Sequence, residues 1–146
     1  MDENSKDTKE LVTRFESMLK RDEAFFFDVE EFEQIIDYFL DDFQYDEAKE
    51  AANLGERQHP ASVEIKYKFV HIFIEQGNAK KALALLEEIP VWEEGNPERF
   101  FLKGTALCLL GKLKDAERQF DRALELSGEE TFEALLNISI AFENVR

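Results

Sequence analysis

Apolar positions recur along this chain at helical spacing. Leu11, Phe15, Met18 and Leu19 fall at i, i+4, i+7 and i+8 and predict an amphipathic helix over 8–21. Phe25, Phe26 and Phe27 form an apolar run that is long for a solvated loop; it is expected to pack on the next element, with room for the helix to extend through it. Asp28, with Glu31 three residues on, makes a capping-box arrangement. Phe32, Ile35, Ile36 and Phe39 then give the buried face of a helix that turns near Phe43 and Gln44. Over 45–58, Tyr45, Ala48, Ala52 and Gly55 face inward, and His59 with Pro60 closes the helix. Ser62 caps a helix with Ile65, Phe69, Val70 and Phe73 inward, and Gly77-Asn78 is its turn. Ala79, Ala82, Leu83, Leu86 and Ile89 line a helix that Pro90 stops.

A loop over 91–96 carries Trp92. Asn96 then caps a helix with Pro97 at its first position, and Gly111 ends it. Phe100, Leu107 and Leu110 lie around the small residue Gly104. The partner helix over 113–126 carries Leu113, Ala116, Phe120, Ala123 and Leu124. Gly104, Ala116 and Ala123 are small where close helix approach needs them small. A last helix over 131–143 has Leu135, Ile138, Ala141 and Phe142 apolar.

Self-similarity organises these helices. Ala48, Ala82 and Ala116 stand 34 residues apart, and Phe39, Phe73 and Leu107 keep the same step. So do Phe43, Gly77 and Gly111, and so do Phe32, Lys66 and Phe100. A helix–turn–helix unit at this period resembles the tetratricopeptide repeat. The family pattern is best kept at Phe100, Gly104, Leu107, Ala116, Phe120 and Ala123. The resemblance implies an all-α fold, a right-handed α–α superhelix of antiparallel helical hairpins. It divides the chain into an N-terminal helix over 1–28 packing on the array, repeats at 29–62, 63–96 and 97–130, and the first helix of a truncated fourth repeat at 131–146. Phe43 stands where the family has glycine, so that turn is expected to differ; Lys66, Lys103 and Gly128 are further departures.

Composition narrows the function. The chain is 44% hydrophobic, enough for a core, and its net charge of −15 disfavours nucleic acid and anionic lipid as partners. The single cysteine, Cys108, forbids an intramolecular disulfide and suits a reducing compartment. The polar start predicts no signal peptide, and no apolar run reaches a membrane span, so a cytoplasmic protein is expected. The fourth unit stops early, with Leu135, Leu136, Ile138, Ile140 and Phe142 spread around its helix. This predicts either a fragment of a longer array or a homodimer formed through 131–143.

Chemistry is sparse. There is no Gly-rich phosphate loop, no EF-hand loop in the acidic stretch 37–46, and no paired-cysteine zinc motif. His71 and Glu75 are too few ligands for a metal, and a Cys108–His71 pair lacks a third group or an oxyanion hole. No catalysis, cofactor or metal is expected.

What the resemblance implies is binding along a concave groove lined by the first helix of each unit. It places Glu33, Asp37 and Leu40 there from the first unit, Tyr67, His71 and Ile74 from the second, and Phe101, Thr105 and Leu109 from the third. Glu30, Glu64, Glu75, Glu98 and Cys108 accompany them. Tyr67, Ile74, Phe101 and Leu109 lie off the buried stripes; exposed, they would anchor a basic or amphipathic peptide or helix, and Tyr67→Ala with Phe101→Ala would barely change stability. The alternative is packing against the neighbouring first helix. Family members that bind chaperone C-terminal carboxylates use lysine, asparagine and arginine, whereas Glu33, Asp37, Glu98 and Leu102 stand here. The expected role is a non-catalytic scaffold or adaptor; self-association, or regulation within a longer protein, is the alternative.

Overall fold

A computed structural model of the chain describes residues 3–21 and 25–127. These residues form seven α-helices and no strand: α1 Glu3–Arg21, α2 Val29–Asp41, α3 Tyr45–Gln58, α4 Val63–Glu75, α5 Ala79–Glu88, α6 Pro97–Leu109 and α7 Leu113–Ser127. A 3-10 turn, Val91–Gly95, lies between α5 and α6. The predicted helix over 131–143 lies outside the described residues. The chain divides into two compact units, Met1–Ile72 and Phe73–Arg146, and the division falls inside α4.

In the first unit, α2 packs on α3 and α1 packs on α2. The Asp28 side chain accepts from the Glu31 amide at 2.8 Å and the Glu31 carboxylate accepts from the Asp28 amide at 3.0 Å, so the capping box starts α2 as its spacing implied. Phe32, Ile35, Ile36 and Phe39 are all buried against Ala48, Ala51 and Ala52 of α3 and Ile65 and Ile72 of α4. Helix α1 adds Val12, Phe15 and Met18. Phe15 and Met18 are buried as expected and Leu11 packs against the core, but Val12 takes a core place and Leu19 is exposed.

The phenylalanine run is neither helix nor strand. Phe27 is buried and Phe26 is exposed. Side chains at the end of α3 hold this strap. Gln58 accepts from the Phe27 amide at 3.0 Å through Oε1 and donates to the Phe25 carbonyl at 2.8 Å through Nε2. His59 Nε2 lies 2.7 Å from the Phe27 carbonyl. Gln58 thereby satisfies backbone groups that no helix or strand pairs.

In the second unit, α6 packs on both α5 and α7. Gly104 lets α7 approach: a Cβ there would lie 2.6 Å from Cε1 of Phe120. Leu107, Cys108, Ala116 and Phe120 form the core, with Leu83 and Phe101 packed against it. Leu102, Gly104, Ala106, Leu107 and Cys108 are all buried, so α6 is covered on more than one face, whereas Leu110 and Leu113, expected inward, are exposed.

Three turns share one geometry. The amide of Gln44 donates to the Phe39 carbonyl at 2.8 Å, that of Asn78 to Phe73 at 2.8 Å, and that of Lys112 to Leu107 at 2.9 Å. One residue earlier, Phe43 donates to Leu40, Gly77 to Ile74 and Gly111 to Cys108. This pair of bonds is the Schellman motif, in which one residue takes a left-handed backbone. Gly77 and Gly111 do so at φ 76 and 77, and Phe43 does so at φ 58. The first turn was expected to differ, yet it keeps the same hydrogen bonds and bears the strain of a side chain at positive φ.

Candidate functional site

The predicted contacts fall on α2, α4 and α6, and each unit is taken separately. In the first unit, Glu33, Asp37 and Leu40 follow one another on α2 at i, i+4 and i+7. Asp37 is exposed, and Lys68 of α4 donates to its Oδ1 at 2.7 Å. The lysine side chain is largely covered, so this pair is held more firmly than a free surface ion pair and offsets much of the charge Asp37 would show a ligand. Sequence reading did not find Lys68; its only signal was a cation amid apolar positions of α4. Glu33 is half-buried, and Leu40 packs against the first core. Glu30 and Glu64 are exposed.

Tyr67 corrects an expectation. It is 3% exposed, and its burial removes the ring from any contact surface. The reason is geometric: α4 buries Ile65, Tyr67, Val70 and Ile72, a spread wider than the single stripe that helical periodicity marks. Tyr67→Ala is therefore expected to cost about 3 kcal/mol, in the range for removing a buried aromatic ring, rather than to leave stability unchanged. Chemical denaturation measures it. His71 of the same helix is half-buried.

In the second unit, Ile74 and Phe101 are half-buried. The Phe101 ring packs on the second core, with its centroid 6.0 Å from that of Phe120, so it too works chiefly in packing. Thr105 turns its hydroxyl back to donate to the Phe101 carbonyl at 2.9 Å. Leu109, the last residue of α6, is 41% exposed and is the apolar position of this set most open to solvent. Cys108 and Leu102, both expected toward the groove, are buried. Burial pushes the Cys108 thiol above the ordinary thiol range, because the charged thiolate is poorly solvated there. Glu75 is exposed and Glu98 half-buried.

Among the described residues, no group of three His, Cys, Asp or Glu side chains could hold a metal ion. No described helix is long and apolar enough to cross a membrane. A cleft between α1 and α2, with a volume near 310 Å³, is lined by Asp7, Glu10, Leu11, Arg14, Glu31 and Gln34. It is shallow and carries both signs of charge, and Glu31 is committed to the α2 cap.

Besides Phe26, the aromatic side chains of Tyr38, Phe43 and Trp92 are exposed, and sequence reading assigned none of these three to a contact surface. Each had a legible signal: a large apolar side chain off the periodic face of its element or in a turn.

No curated protein and no solved structure matches the chain. The sequence pattern of the tetratricopeptide repeat matches residues 39–100, from the end of α2 to the first turn of α6. That span holds two of the three Schellman turns and α3, α4 and α5 in full. All seven described α-helices, and the identical turns at a 34-residue step, agree with it. Over this span, which is under half of its length, the chain is similar to the tetratricopeptide-repeat family.

Proposed function

We propose that this chain is a non-catalytic scaffold or adaptor that binds a basic or amphipathic segment of another protein on the exposed parts of its first helices. The recurring hairpin carries this reading: the same turn bonds and the same buried alanine at Ala48, Ala82 and Ala116 build a repeat that serves in protein–protein interaction. In the first unit the contact surface is Glu33, Asp37, Leu40 and His71. In the second it is Ile74, Thr105 and Leu109. Tyr67 is dropped from it, and Phe101 is reduced to its exposed edge. A cationic ligand at Asp37 competes with Lys68 for the carboxylate, which favours guanidinium, able to engage two oxygens, over ammonium. The free buried thiol suits the reducing cytoplasm, where we place the protein.

Affinity capture with the wild-type chain, and with a Glu33→Gln/Asp37→Asn/Leu109→Ser variant, tests the reading. Asp37 and Leu109 are exposed and Glu33 is half-buried, and circular dichroism checks that the variant keeps its helices. A partner retained by the wild type and lost by the variant is the expected result. Equal retention by both would place binding elsewhere and overturn the assignment.

A further inference from the structure

The tip of the α2–α3 hairpin is a second surface with its own chemistry. Phe43 occupies the left-handed position of its turn, where the other two turns have glycine. The ring gains almost no burial from it, being 72% exposed. Turns of this kind have no packing need for a side chain: a Cβ at Gly77 or Gly111 would meet nothing within 4 Å. The Phe43 ring and that of Tyr45 stand nearly perpendicular, with 6.5 Å between centroids, and most of the Phe43 side chain is open to solvent. Asp41, Asp42, Asp46 and Glu47 are exposed beside it in sequence, and Gln44 donates a hydrogen bond to Asp42. Tyr38 is exposed one helical turn before Asp41 and Asp42. No lysine or arginine occurs in the sequence between Arg21 and Lys49.

We propose that this tip docks an arginine-rich segment of a partner protein. Guanidinium is planar, stacks on an exposed aromatic face and is weakly hydrated, so it joins ring and carboxylates in one contact. The exposed carboxylates of Asp41, Asp42, Asp46 and Glu47 draw such a segment in and make the encounter salt-dependent. A neutral apolar partner would be met by desolvation of those carboxylates, and an acidic one by repulsion. The inference rests on the proposed function only in taking the partner to be a protein, and it concerns different residues.

Amide shifts of the isotope-labelled full chain, titrated with a peptide of alternating arginine and serine at low salt, test it. Saturable shifts centred on residues 41–47 are expected. Phe43→Gly should weaken the peptide about two- to fivefold while the fold persists, the range for one exposed cation–aromatic contact. Asp41→Asn with Asp42→Asn and Asp46→Asn should weaken it and flatten its salt dependence. Shifts confined to the first-helix faces around Glu33, Asp37 and His71 would overturn the tip proposal and leave the proposed function standing. Shifts confined to the tip would support the tip and count against those faces. No saturable shift, or unchanged affinity in Phe43→Gly, would overturn the tip proposal.

Discussion

Phe43, Gly77 and Gly111 answer the same geometric demand in two ways. Each accepts a positive φ so that two amides can reach the last carbonyls of the preceding helix. For a residue with a Cβ this conformation costs on the order of 1–2 kcal/mol, partly offset by the larger entropy that glycine loses on folding. Phe43→Gly is therefore expected to stabilise the chain by roughly 0.5–1 kcal/mol, and Gly111→Ala to destabilise it by about 1 kcal/mol or more, read as opposite shifts of the thermal midpoint. Gly104 is constrained differently, by space alone. A methyl group at 2.6 Å from the Phe120 ring forces that ring to move, and Gly104→Ala should cost roughly 1–3 kcal/mol by overpacking. Combining it with Phe120→Leu, which removes the clashing ring edge, should cost less than the sum of the two single changes. A double-mutant cycle in urea measures the coupling.

Among the elements, helix starts follow local chemistry and the strap does not. The Asp28–Glu31 box, the Ser62 hydroxyl accepting from the Ile65 amide at 3.3 Å, the Asn78 side chain on Lys81 and the Asn96 side chain on Glu98 all satisfy amides that a helix leaves open within its first turn. All four partners lie two or three residues apart, so sequence shows them. The stretch from Phe25 to Asp28 is fixed instead by Gln58, more than thirty residues away. Gln58→Ala leaves the Phe27 amide and the Phe25 carbonyl without their partner and should destabilise the first unit by about 1–3 kcal/mol. Hydrogen exchange at the Phe27 amide should quicken markedly, while exchange in α6 and α7 stays unchanged. If α6 and α7 also exchange faster, the loss is global and the strap is not a local clasp.

At the scale of the whole chain, stability carries a dependence on pH through Cys108. Burial raises its folded value above that of the unfolded chain, so the folded state holds the thiol proton more tightly. The resulting stability is fully present below the ordinary thiol range and is lost as pH rises through it toward the higher folded value. Unfolding free energies of wild type and Cys108→Ala, compared from pH 7 to pH 10, should converge on the alkaline side. The wild-type thiol should also resist a thiol reagent at pH 8 until denaturant is added.

Helical class, the 34-residue step, the capping residues, the inward set of α2 and, Leu113 apart, that of α7 were determined by the sequence itself. They depend on interactions within a few residues or on a period that repeats, and both are written along the chain. The buried quartet Phe32, Ile35, Ile36 and Phe39 and the trio Ala116, Phe120 and Ala123 are cases in point. Only tertiary structure decided what α4 and α6 bury, since a helix covered on several sides needs no single apolar stripe; Tyr67, Ile72, Leu102 and Cys108 lie inside for that reason. It decided too that Lys68 answers Asp37, that Gln58 holds the phenylalanine strap, and that Phe43 follows the turn of its glycine counterparts. Each of those outcomes rests on a partner distant in sequence or on a whole hairpin outweighing one residue's preference, which local pattern does not record.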